Sequence, residues 1–121
     1  MKKSEFDVKF YDKADGSKPV KDFVLKLPPK MRAKVFRVID MLEINGIDLR
    51  EPYSKYLNDG IFELRAQIGS DISRVLYFFM VDKKVILTHG FIKKTQKTPS
   101  SEISRAKRYR EEYLSRKENW Q

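Results

Sequence analysis

The chain contains no cysteine, so neither a disulfide framework nor a thiolate metal site can hold it together. It has a single histidine, His89, and no carboxylate cluster at ligand spacing beside it, which argues against metal catalysis. Glycine and proline number only five each in 121 residues, and none of the glycines forms a phosphate-binding loop. That scarcity, with 40% hydrophobic residues, points to a packed fold rather than a disordered chain. No apolar run approaches the roughly 18–20 residues of a membrane span. The opening MKKSEFDVKFYDK carries lysines without an apolar stretch behind them, so it does not read as a secretion signal, and the expected location is the cytoplasm without membrane attachment. Acidic residues are also short: 17 against 26 basic ones leave a net charge of +9. Such an excess on a small domain suggests a polyanionic partner, and RNA, DNA or an acidic protein would each account for it.

What remains is one domain over residues 1–121, with 1–4 and 118–121 expected to fray. Residues 5–11 alternate, with Phe6, Val8 and Phe10 on one side, and predict a half-buried strand. Pro19 suits the start of a helix carrying Val20, Phe23, Val24 and Leu27, which Pro28-Pro29 stops. A second helix follows, with Met31, Val35, Val38, Ile39 and Leu42 on one stripe and Gly46 as its C-cap. Residues 47–60 show no period and read as a loop with a turn near Tyr56-Leu57. Three strand-like runs then occupy residues 60–93, separated by two polar turns. Thr98 and Pro99 read as N-cap and N1 of a basic helix over about 99–117, with Ile103, Ala106, Arg110, Tyr113 and Leu114 along one side. The class is α+β: an antiparallel sheet of about four strands, two N-terminal helices packed on it, and a basic C-terminal helix.

Parity then decides which side chains share a face of the sheet. A two-residue turn at Gly69-Ser70 puts Arg65 opposite Arg74 and gathers Phe62, Leu64, Ala66, Val75, Tyr77 and Phe79 into a core face. A two-residue turn at Asp82-Lys83 puts Phe91 opposite Arg74 and His89 opposite Leu76, with Lys93 just beyond. Two arginines directly opposite repel, so either Glu63 bridges them as a structural ladder or the face receives a phosphate or carboxylate. Lys93, Lys94 and Lys97 would form a phosphate-facing edge or a plainly solvated one. His89, between Leu87 and Phe91, fits a packed position as well as a catalytic one.

Gly60 with Glu63-Leu64-Arg65, then Arg74-x-x-Tyr77, then His89-Gly90-Phe91-x-Lys93-Lys94-x-x-Lys97-x-Pro99-x-x-Glu102, form an ordered set. Together they resemble the HigB-like, phage-derived branch of the RelE/ParE toxin superfamily over most of residues 19–114. The resemblance implies the toxin of a type II toxin–antitoxin pair, a ribosome-dependent endoribonuclease that needs no metal or cofactor. Such an enzyme promotes attack of a ribose 2′-hydroxyl on the adjacent phosphodiester of translated messenger RNA, with cationic side chains stabilising the transition state. By the same resemblance Arg74 would hold the scissile phosphate, Lys94 with Lys93 would stabilise charge or protonate the leaving group, and Arg65 would bind phosphate or ribosomal RNA. His89 or Glu63 would be the general base, and Lys97, Arg105, Lys107 and Arg108 would grip RNA. Arg74→Ala would then abolish toxicity without unfolding the domain. The implied partners are the ribosome, messenger RNA and a HigA-like helix-turn-helix antitoxin, in a hetero-oligomeric complex that binds operator DNA through the antitoxin.

The chain departs from the RelE pattern where Glu63 and Ile61 stand in place of lysines, and where Tyr109 and Tyr113 fall inside a helix instead of supplying a catalytic tyrosine. The same superfamily contains ParE-like members that inhibit DNA gyrase by binding, a role in which Arg74 would be structural. A nucleic-acid-binding module without toxicity is the third reading.

Overall fold

Five strands and three α-helices account for most of the chain in the computed structural model, which describes residues 5–93 and 96–119. In chain order they are β1 (Asp7–Phe10), α1 (Pro19–Leu25), α2 (Pro29–Asn45), β2 (Ser54–Asn58), β3 (Ile61–Ile68), β4 (Asp71–Met80), β5 (Lys84–Lys93) and α3 (Ser100–Asn119). The α+β class agrees with the element order read from the sequence. The sheet differs in two respects. It has five strands in the order β1-β5-β4-β3-β2, and it is mixed, because β1 runs parallel to β5. Alternation reports burial of a strand but not its direction, which here follows from the long excursion between β1 and β5.

The added strand is β2, where a loop was expected. SKYLN has no apolar alternation because it is an edge strand; its order comes from pairing with β3 and from two tertiary contacts. The Ser54 hydroxyl meets the Tyr77 hydroxyl in the interior, and the Tyr56 ring packs edge-on against Phe62 at 5.1 Å. Burial pushes the Tyr77 phenol up to about 12, so it remains protonated and able to donate.

The β3–β4 turn is the predicted two-residue connection, with Gly69 at φ +59 and Ile68 opposite Asp71. At the β4–β5 turn the prediction fails locally. Met80 pairs with Lys84, leaving Val81, Asp82 and Lys83 in the loop, the latter two at φ +63 and +58. A bulge at Thr88 absorbs the extra residue, so Leu76↔His89 and Arg74↔Phe91 pair as expected while Tyr77 faces Leu87. The expected register therefore holds at the end of the sheet that carries the arginines.

The two faces of the sheet are covered separately. On one, Val20 and Val24 of α1 and Met31, Val35, Val38 and Leu42 of α2 pack on Leu64, Ala66, Val75, Tyr77, Val85 and Leu87. Gly90 lies so close beneath α1 that a Cβ there would come within 2.4 Å of the Phe23 ring. On the other face α3 covers a smaller cluster around Tyr11, Ile61, Leu76, Phe78, Ile86 and Ala106. Ala106 of α3 is fully buried there, while Leu114, expected on the packed side, is exposed. Among the described residues no helix is long and apolar enough to cross a membrane.

Candidate functional site

Positions 63 and 65 point to the same face of β3, and the observed register puts Arg65 directly opposite Arg74 on β4. Two guanidinium groups at that spacing need a shared counter-charge. Glu63 supplies it: Oε1 accepts from Arg65 Nε at 2.6 Å, and Oε2 lies 3.5 Å from Arg74 Nη1. The segment after β5 supplies a second acceptor. The Gln96 carbonyl takes hydrogen bonds from Arg65 Nη2 at 2.9 Å and from Arg74 Nη1 at 3.1 Å. Thr98 completes the group, its hydroxyl donating to Glu63 Oε2 and lying 3.4 Å from Arg74 Nη1.

Burial divides this group. Arg74 and Glu63 are 0% exposed, whereas the Arg65 side chain is 12% exposed. Burial pulls the Arg74 guanidinium below its ordinary range; Glu63 opposes the shift and Arg65 adds to it. With Gln96 and Thr98 against Arg74, no phosphate reaches it in this conformation, and Arg65 is the member of the ladder that a ligand can touch. Arg74→Ala would remove one of the three groups that meet the buried Glu63 carboxylate, leaving it Arg65 and the Thr98 hydroxyl. Glu63 is committed to Arg65, Arg74 and Thr98 and is closed off from solvent, so no substrate proton can reach it here. Thr98 does not cap α3 with its side chain, as its hydroxyl is used inside the ladder.

His89 is 4% exposed and lies between Thr88 and the first turn of α3. Its Nε2 is 3.0 Å from Glu102 Oε1, its Nδ1 is 3.1 Å from the Thr88 hydroxyl, and the Tyr109 ring meets it edge-on at 5.6 Å. Burial lowers its pKa below 6.5, the Glu102 hydrogen bond and charge oppose this, and Arg105 and Arg108 lower it further. A neutral His89 donating Nε2–H to Glu102 docks α3 on β5. Glu102 closes the ordered motif set of the sequence without a site role assigned to it there, and its place in the first turn of α3 is what brings it to His89.

The remaining cations separate into two groups. Lys93, the last residue of β5, is exposed, as are Lys97 and, on α3, Arg105 and Arg108. Lys107, expected among the RNA-binding residues, lies 3.7 Å from Asp59, alongside Arg110 at 3.1 Å, where α3 meets the β2–β3 turn. Lys94 lies outside the described residues. Tyr109 stacks on Tyr11 at 4.8 Å and Tyr113 packs edge-on to Phe78 at 6.3 Å, so both are occupied under α3.

Two clefts flank Gln96. One, of about 420 Å³, is lined by Lys34, Glu51, Pro52, Tyr53, Arg65 and Gln67. The other, of about 320 Å³, lies between β2 and the start of α3 and includes Lys55, Tyr56, Lys97 and Ile103. No group of three or more His, Asp or Glu side chains capable of holding a metal ion occurs among the described residues. Residues 22–111 match the family described as phage derived protein Gp49-like (DUF891). Comparison with curated proteins gave no match.

Proposed function

The chain belongs to the phage-derived Gp49-like family, which is toxin-like and of RelE/HigB type, and from that premise we propose that it is the toxin of a type II toxin–antitoxin pair that cleaves translated messenger RNA on the ribosome. The observation that carries this reading is the preorganised Arg65 guanidinium, held by Glu63 and Gln96 at a cleft with Lys93, Lys97, Arg105 and Arg108 exposed nearby. In the proposed step a ribose 2′-oxygen attacks the neighbouring phosphorus, the 5′-oxygen leaves, and one proton passes from the first oxygen to the second. Negative charge builds on the phosphoryl oxygens, where a fixed guanidinium stabilises it without reorganisation. Arg65 meets that charge, and Arg74 and Glu63 act as positioning residues that fix it. The exposed lysines and arginines hold ribosomal RNA by its phosphates, a salt-dependent attraction. A helix-turn-helix antitoxin of the HigA kind is the proposed partner.

Expression of the chain alone should arrest growth and leave transcripts cut within translated codons, as mapped by primer extension. Arg65→Gln should abolish the cuts in a protein that still unfolds cooperatively, at a melting temperature lowered by loss of the Arg65–Glu63 contact. One observation favours a second reading: the Glu63–Arg74–Thr98 group is closed and buried, as suits a ParE-like toxin that inhibits DNA gyrase by binding. Intact transcripts with induction of the DNA-damage response would replace the first reading with the second.

A further inference from the structure

Apart from Arg65 and Gln96, the larger cleft beside Gln96 is built from parts that the cleavage step does not use. Tyr53 precedes β2 and is tied to β3 by its carbonyl, which accepts from the Arg65 backbone N–H at 2.8 Å. Tyr53 is 39% exposed and lines the cleft beside Arg65. Arg65 has Nε and Nη2 engaged, while Nη1 makes no hydrogen bond among the described residues. Lys34 of α2 also lines the cleft. Gln67, two residues along β3 from Arg65, donates through Nε2 to the Gly69 carbonyl and keeps its own amide oxygen as an acceptor. Glu51 supplies the one carboxylate of the lining.

An aromatic plane, two cations and a few hydrogen-bonding groups in about 420 Å³ match the chemistry of one nucleotide unit. We propose that this cleft is a mononucleotide subsite for single-stranded RNA, in which the Tyr53 ring stacks on a base and Arg65 and Lys34 hold its phosphate. The subsite rests on the reading of the chain as an RNA-cleaving toxin and adds to it a means of choosing bases. Glu51 accepts only. It therefore favours bases whose pairing edge presents an amino group, namely adenine, cytosine and guanine, over uracil, whose edge is flanked by carbonyl oxygens. Stacking tolerates any base, so affinity comes from Tyr53 and discrimination from Glu51.

The test is titration of the full-length protein with AMP, CMP, GMP and UMP at physiological ionic strength, followed by amide chemical shifts. Shifts should centre on Tyr53, Arg65 and Gln67, with UMP the weakest ligand. Tyr53→Ala should weaken binding by about tenfold, in the range of a lost base–aromatic stack. Tyr53→Trp should restore it, and Glu51→Gln should narrow the gap between CMP and UMP. Shifts confined to Arg105 and Arg108, or affinities indifferent to Tyr53→Ala, would overturn the subsite. Equal affinities for CMP and UMP would overturn the role of Glu51. Primer extension separates this from the wider reading. Uncut transcripts with nucleotide binding lost in Tyr53→Ala would remove the nuclease and leave the subsite standing. Cut transcripts with an unchanged cleavage pattern and unchanged nucleotide affinity in Tyr53→Ala would remove the subsite alone.

Discussion

The two faces of the sheet are held by different physics. Under α1 and α2 the contacts are aliphatic and aromatic, and stability there follows the apolar area removed from water. Under α3 the apolar cluster is small, and directional bonds supplement it. Tyr11 donates to Glu112 at 2.7 Å, His89 meets Glu102 at 3.0 Å, and Arg110 meets Asp59 at 3.1 Å. The Glu63–Arg65–Arg74 ladder lies on this same face. An apolar face tolerates changes of volume-conserving shape and ignores salt and pH. A polar face depends on every donor finding its acceptor, and the loss of one member leaves a charge stranded. The chain thus keeps its larger apolar core on one side and its buried ion-pair ladder on the other.

The sharpest way to break this contrast is Glu63→Ala. It leaves Arg74 buried without its carboxylate and should destabilise the protein by about 3–5 kcal/mol in urea unfolding. A loss below about 1 kcal/mol, typical of a solvated surface pair, would mean that the ladder does not support the α3 face. Leu42→Ala on the opposite face should cost about 2–5 kcal/mol through the cavity it opens. Its cost should be the same at low and high salt, and a salt-dependent cost would erase the distinction between the faces. Gly90→Ala should cost about 1–3 kcal/mol by overpacking, since the new methyl would meet Phe23 at 2.4 Å. Phe23→Leu should recover part of that loss, because it moves the obstructing ring atoms.

The smallest effect concerns pH. His89 has its folded-state pKa lowered below 6.5. Below 6.5 the unfolded chain takes up a proton that the folded chain declines, so stability falls as pH drops from 6.5 toward the folded pKa. The full contribution is present above that window. One such group limits the slope to about 1.4 kcal/mol per pH unit. His89→Gln should flatten this part of the profile, whereas Leu42→Ala should leave it unchanged. An unaltered slope in His89→Gln would show that α3 is not docked through a neutral imidazole.

Much of the candidate site was legible because a sheet has a period of two. Parity and a glycine at a two-residue turn were enough to place Arg65 opposite Arg74 and both beside Glu63. Phe91 and His89 also took their expected partners, through two departures that cancel: a longer turn at 81–83 and the bulge at Thr88. The sequence leaves the bridging ladder as one of two readings, and the contacts of Glu63 show it formed. What the sequence did not reveal was which arginine meets solvent. That depends on Gln96 and Thr98, some twenty residues further along the chain from Arg74, returning to take its hydrogen bonds. Nor did it reveal Tyr53 as part of a cleft, because residues 47–60 carry no periodic signal and β2 exists only through its pairing with β3.

The sequence by itself determined the class of the fold, the order of its main elements, the helix start at Pro19, the stop at Pro28-Pro29, and the face that Arg65 and Arg74 share. These follow from local rules: side-chain period, turn chemistry and the missing N–H of proline. Tertiary structure alone decided that β1 lies parallel to β5, that β2 is a strand, that Lys107 serves Asp59, and that Arg74 is covered while Arg65 is not. Those outcomes depend on contacts between residues far apart in the chain, where burial of a charge is fixed by whatever segment packs over it.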